Sequence, residues 1–307
     1  MAMISMIMSA SAYSQELRQL DTMLEQIIVT SALHRNRAET VLPVNVLAGD
    51  ELREKVSSTL GDMLQNQVGV NNASFGARVG LPVIRGQSAN RVQILQMGVG
   101  NLDASSVSPD HANSLEPALA ERIEVIRGPA TLLYGNGAIG GVVNVIDGRI
   151  PRSRADAISA LTEIRYDSVS DQRTGIMKLE GGTGRFAWHL SAVDRQSNDV
   201  EVSGFALNPA LVNLADPEAY SELIASNGRL LNSNSASDSQ TVGASWILEG
   251  GWVGIAFNQM DNEYGLPRDV HAQHGHSSDV AAKDHVAQHG EEEGDIRIVM
   301  KQDRWDF

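Results

Sequence analysis

Cysteine is absent from the 307 residues. Thiolate catalysis and disulfide bridging are therefore excluded, and any metal site is confined to nitrogen and oxygen ligands. Aromatic residues make up only 5%, which leaves little for a binding face of stacked rings. Positive charge is scarce: 24 Lys and Arg stand against 38 Asp and Glu, a formal net charge of −14. Nucleic-acid binding needs clustered cations to neutralise phosphates, so this balance argues against it. No uninterrupted apolar run approaches 18 residues, which excludes a transmembrane helix but not a membrane β-barrel, whose strands carry only alternating hydrophobicity. The chain also lacks His-Glu-x-x-His and Gly-x-Ser-x-Gly, so no catalytic motif supports an enzyme.

What is present centres on residues 122–147, RIEVIRGPATLLYGNGAIGGVVNVID. A short apolar strand carrying Ile123, Val125 and Ile126 runs into Arg127, Gly128 and Pro129. A small-residue turn follows, then Gly135, Gly137, Gly140 and Gly141, then a β-branched strand over 142–146. Glycines at this density allow backbones to approach closely and to adopt positive φ, as in a tight turn between buried strands. A phosphate-binding loop would need Gly-Lys-Ser/Thr and a helix after it; this segment leads into a strand. Upstream lie TLGDML (59–64), VGV (68–70), LPVIRG (81–86, with Arg85 and Gly86) and RVQILQMGV (91–99).

In this order the segments resemble the plug domain of TonB-dependent outer-membrane receptors. The resemblance implies an α+β plug over residues 38–148, a small mixed sheet with short helices. It implies that Gly86, Gly128, Gly135, Gly140 and Gly141 are structural. Arg85 and Arg127 each precede a glycine at the end of an apolar strand and are expected to pair with carboxylates of a barrel wall; ordinary surface arginine is the plain alternative. Within the segment 15–37, the island Glu25, Gln26, Ile27, Ile28, Val29 and Thr30 is similar to the TonB box, which adds as an edge strand to its partner; an edge strand of the plug is the plain alternative. The implied partners are TonB with its inner-membrane energising complex, and outer-membrane lipid; the implied location is the bacterial outer membrane. Residues 1–14 read as a signal peptide lacking a positive n-region, so its true start can lie upstream. No room for a signalling domain precedes the box, which favours a transport receptor.

From residue 149 the pattern changes to strands of period two, expected at 158–168, 173–182, 185–196, 238–249, 252–262 and 295–307, with a turn at 181–184 and long polar connections at 200–237 and 263–294. Phe186, Trp188 and Leu190, then Val242, Ala244 and Trp246, then Val253, Ile255 and Phe257, and finally Ile296, Ile298 and Met300 form the apolar faces expected to meet lipid. These are antiparallel transmembrane barrel strands. Closure takes about eight strands at least, so the barrel is expected to be incomplete in this chain.

Five of the eight histidines, His271, His274, His276, His285 and His289, lie in DVHAQHGHSSDVAAKDHVAQHGEEE. Imidazole and carboxylate groups crowded into one polar loop suit Zn²⁺ and other late transition metals; a solvated polar loop is the plain alternative. The segment RGQSANRVQILQMGVGNLDASSVSPDHA (85–112) resembles the zinc receptors of the same family. That likeness implies that Asp110 and His111 are plug ligands and that the histidine-rich loop collects metal above them. The expected role is therefore TonB-energised uptake of a metal ion, with Zn²⁺ as transported ligand and no cofactor. The alternatives are a siderophore or haem receptor, and, from another class, a soluble periplasmic zinc-binding module.

Overall fold

The computed structural model describes residues 27–30, 33–36, 44–101, 104–155, 157–267 and 296–307. The first described elements form a two-stranded ribbon, β1 (Ile27–Thr30) paired antiparallel with β2 (Leu33–Asn36). Then come β3 (Val44–Ala48), the short helices α1 (Gly49–Glu54) and α2 (Leu60–Leu64), and the hairpin of β4 (Val70–Ser74) with β5 (Gly80–Ile84). Thr59 caps α2: its hydroxyl accepts the Asp62 N–H, satisfying one of the free donors of the first turn.

A five-stranded sheet holds the plug together. It contains β6 (Val92–Gln96), β7 (Val99–Gly100), β8 (Arg122–Ile126) and β9 (Gly141–Ile146) in the order β3-β8-β9-β6-β7, with β6 and β9 parallel. The β-branched runs of β8 and β9 are buried on both faces, as central strands covered on two sides must be. Leu47, Leu60, Met63, Leu64, Ile84, Ile123, Val143 and Val145 share one core. Close approach explains Gly141: a Cβ there would lie 2.8 Å from Ile84 Cδ1 and 3.0 Å from the Ile126 carbonyl oxygen. The expected turn after Arg127 is 3-10 helix over Gly128–Tyr134 and Asn136–Ala138, with Gly135 between them at φ +89°.

The second unit is a six-stranded antiparallel sheet of β10 (Ser159–Asp167), β11 (Gln172–Thr183), β12 (Phe186–Ser197), β15 (Ser235–Ile247), β16 (Trp252–Gly265) and β17 (Arg297–Asp306), in that order. Alternation along β12, β15 and β16 matches the expected faces: Trp246, Val242 and Val253 point outward, while His189, Thr241 and Asn258 are buried against the plug side.

Three expectations need correction. The turn expected at 181–184 is shorter, because β11 runs through Thr183 and only Gly184 (φ +60°) and Arg185 turn the chain. The connection expected to be a loop over 200–237 carries β13 (Val200–Phe205), β14 (Asn227–Leu230) and α3 (Pro217–Ala225), which bury Val212, Ala219 and Leu223 together. On β17 the faces are reversed: Ile298 and Met300 pack inward on Tyr264 beside Val79 and Ala112, whereas Val299 and Trp305 are exposed outward. The apolar surface of the plug, rather than lipid, takes up that row. Among the described residues no helix is long and apolar enough to cross a membrane.

Candidate functional site

Two ends of the sheet can be told apart by their connections. The long connection between β12 and β15 and the one between β16 and β17 leave at one end; the short turns after β11 and β15 leave at the other. Asp110 and His111 sit in a turn of the plug at the long-connection end. His111 Nδ1 lies 3.0 Å from Asp110 Oδ1, and the Ser108 hydroxyl donates to the same oxygen. These hydrogen bonds, Ser108 first and His111 second, hold the Asp110 carboxyl below its usual range, so it is ionised at neutral pH. Tyr264 fixes the turn to the wall: its hydroxyl accepts the Ala112 N–H at 2.9 Å and donates to the Asp110 carbonyl at 3.3 Å.

Of the expected metal region, only Asp110 and His111 lie among the described residues. Tyr264 stands one residue before Gly265, where β16 ends, so the end of this strand lies beside Asp110. His271, His274, His276, His285 and His289 lie outside the described residues, as does the signal peptide expected at 1–14. Among the described residues no three His, Asp or Glu side chains converge on one point. Of the expected TonB box, Glu25 and Gln26 lie outside the described residues, while the backbone of Ile27–Thr30 is strand β1. Among the described residues it pairs with β2, in a two-stranded sheet separate from the plug sheet.

Among the described residues, neither Arg85 nor Arg127 pairs with a wall carboxylate. Arg85 takes the first central position of a tight turn, at φ +52° with Gly86 at +78°, and Ile84 and Gln87 exchange backbone hydrogen bonds across it. Its side chain is exposed. Arg127 stays inside the plug: Nη2 donates to Asn45 Oδ1 at 2.7 Å and Nη1 to the Val68 carbonyl, stapling the chain after α2 to β3.

Other charge clusters join plug to wall, and two of them are buried. In the first, Arg195 of β12 forms a bidentate pair with Glu116 of the plug, and Arg78 lies 3.6 Å from the same carboxylate. Arg78 also donates to the Ser58 carbonyl, to Asn262 Oδ1 on β16 and to Ser237 Oγ on β15. All three charged side chains are almost fully buried. Burial raises the Glu116 carboxyl, but Arg195 and then Arg78 outweigh it and hold it below the ordinary range. Burial, and then the Arg195 charge, bring Arg78 down to about 10.

The second cluster is a closed ring at the short-turn end. Gln96 Nε2 donates to Asp147 Oδ2 at 2.9 Å, and Arg149 grips Asp147 while its Nη1 donates to Asp306 Oδ2 at 2.9 Å. Arg304 closes the ring, donating to Asp306 Oδ1 at 2.9 Å and to Gln96 Oε1 at 3.0 Å. The linker carrying Arg149 fits because β15 offers no side chain there: a Cβ on Gly243 would lie 1.8 Å from the Arg149 carbonyl oxygen.

Residues 36–142 match the family model of the TonB-dependent Receptor Plug Domain. The chain is 30% identical over 192 residues to the vitamin B12 transporter BtuB of Vibrio vulnificus (strain CMCP6), a match covering 59% of this chain and 31% of that protein. It is 35% identical over 133 residues to the hemin receptor of Yersinia pestis, covering 42% of this chain and 19% of that protein. Among solved structures, the copper transporter OprC superposes with a TM-score of 0.56 at 20% identity, over 72% of this chain and 30% of that one. The ferric yersiniabactin uptake receptor FyuA from Yersinia pestis gives 0.52 at 17% identity, over 74% and 32%. These two structural matches speak for the fold alone. The chain thus carries a TonB-dependent receptor plug domain followed by antiparallel barrel strands, and it spans between 19% and 31% of the length of these two curated relatives. The receptors it resembles are outer-membrane β-barrel proteins.

Proposed function

We propose that this chain is the plug and part of the barrel wall of a TonB-dependent outer-membrane importer. The observation that carries the reading is the buried Arg195–Glu116–Arg78 cluster, which seats a plug domain of this family against the inner face of the six-stranded sheet. A plug so held blocks the lumen at rest and needs work done on it to open a path. The strand Ile27–Thr30 would receive that work: one edge pairs with β2, and the other can add to a strand of TonB. Transport breaks no bond in the cargo.

For the cargo, the similar curated proteins favour a metal chelate, since one is a hemin receptor and the other a vitamin B12 transporter. A second reading, bare Zn²⁺, rests on Asp110 and His111 and on the histidine-rich segment that follows β16 in the sequence. Two ligands are too few for a zinc site, and the missing ones would come from that segment or from a longer chain. The test is growth of a strain carrying the full-length gene on hemin, on a ferric siderophore and at limiting zinc. Changing Asp110 and His111 to alanine should leave chelate uptake nearly intact under the first reading and should abolish zinc-limited growth under the second. If the receptor confers none of these, and vitamin B12 uptake is absent as well, the importer reading of this chain fails.

A further inference from the structure

We infer that the coupling element is a hairpin, residues 27–36, in which β2 stays paired and presents β1 to TonB as the middle strand of a three-stranded sheet. This rests on the reading of Ile27–Thr30 as the strand that TonB takes hold of, and it adds β2 (Leu33–Asn36) to that element.

The ribbon is an unfinished sheet. β1 and β2 pair over their whole length, from Ile27 opposite Asn36 to Thr30 opposite Leu33. Among the described residues no third strand joins them, and the plug sheet is separate. Two strands alone are marginal in water, and a third is what gives such a sheet independent stability. The open place suits a strand from another chain, held by main-chain hydrogen bonds.

The two edges differ. All four residues of β1, Ile27, Ile28, Val29 and Thr30, are β-branched, the type that favours extended backbone. β2 is Leu33, His34, Arg35 and Asn36, and charged residues of this kind blunt an edge against further pairing. The hairpin thus offers one adhesive edge, β1, and one guarded edge, β2.

Pairing beforehand has an energetic consequence. A free four-residue segment loses its backbone freedom when a partner strand takes it, whereas a closed hairpin has lost it already. Affinity for TonB therefore scales with the fraction of time the hairpin is closed. That fraction is open to change, because Ser31 and Ala32 connect the strands, and neither is of the Asn, Asp or Gly type that two-residue hairpin connections favour.

The test measures binding of the periplasmic part of TonB to the full-length receptor in detergent, by calorimetry. Ser31→Asn with Ala32→Gly favours the closed hairpin. His34→Pro with Arg35→Pro opens it, since antiparallel pairing uses the N–H of alternate residues and one of these two must donate to β1. The first variant should bind about tenfold more tightly than the second, with equal thermal midpoints for the plug, which lies in another sheet. Equal affinities, or tighter binding by the proline variant, overturn the inference: β2 is then a bystander or an obstacle that TonB displaces. Ile28→Pro separates this from the coupling reading. If it abolishes binding while the hairpin variants bind alike, only the hairpin is wrong; if it binds as the unaltered receptor does, the coupling strand itself is misassigned and the inference falls with it.

Discussion

Arg195 and Glu116, 79 residues apart, meet through two hydrogen bonds of 2.9 Å each, Nη1 to Oε2 and Nη2 to Oε1. With Arg78 on the same carboxylate, two guanidinium groups share one anion in a buried site, and hydroxyl, amide and carbonyl oxygens carry the excess positive charge.

That charge count ranks the mutants. Glu116→Gln leaves two buried cations without an anion and should weaken plug attachment by about 3–5 kcal/mol. Arg195→Met leaves Arg78 facing Glu116, a neutral pair, and should cost less. Urea titration of plug detachment in the full-length receptor, followed by proteolysis, reads both; the opposite ranking would remove Glu116 from the centre of the cluster.

Attachment should be flat with pH until well into acid. The Glu116 carboxyl lies below 4.5 because Arg195 and Arg78 outweigh burial, and Asp147 lies below 3.8 because Arg149 does the same. Carboxyls depressed in the folded state contribute stability that is complete above their unfolded values and is lost as pH falls through the folded ones. The plug should therefore loosen only below pH 4.5, as hydrogen exchange against pH would show. A decline starting at about 6.5, where imidazole titrates, would put a histidine in control instead.

Gly243→Ala should unseat the linker. The added methyl would meet the Arg149 carbonyl oxygen at 1.8 Å, and backbone displacement of this kind costs roughly 1–3 kcal/mol or more. Gly175→Ala, with nothing within 4 Å of the new atom, should be neutral. Thermal unfolding of the two variants checks the contrast, and equal midpoints would count against close packing as the role of Gly243.

Ile28→Pro removes a main-chain donor from β1 and should abolish strand addition to TonB. Uptake should collapse while cargo still binds at the cell surface. Undiminished uptake would rule out residues 27–30 as the coupling strand.

The alternation of Thr241, Gly243 and Ser245 with Val242, Ala244 and Trp246 was legible as a wall strand, because period-two burial writes itself into the sequence. β17 was not, since Ile298 and Met300 are apolar on the inward side, and only the plug's Val79 and Ala112 make that favourable. The plug motifs located their strands, but the arginines conspicuous in those motifs, Arg85 and Arg127, hold a turn and an internal staple. The residues that join plug to wall are far apart in the chain and unremarkable alone. One signal was available: Arg195 is a full charge on the inward register of β12, two positions after Val193, and a buried charge demands a partner.

The ring of Gln96, Asp147, Arg149, Asp306 and Arg304 also bears on biogenesis. Its contacts span 157 residues between Arg149 and Asp306 and 208 between Gln96 and Arg304. Synthesis runs from the N-terminus, so the plug emerges long before β17 exists to meet it, and Arg149 and Gln96 wait with unmet polar groups. The plug can collapse early around its own apolar sheet, but this ring can close only after β17 has been made.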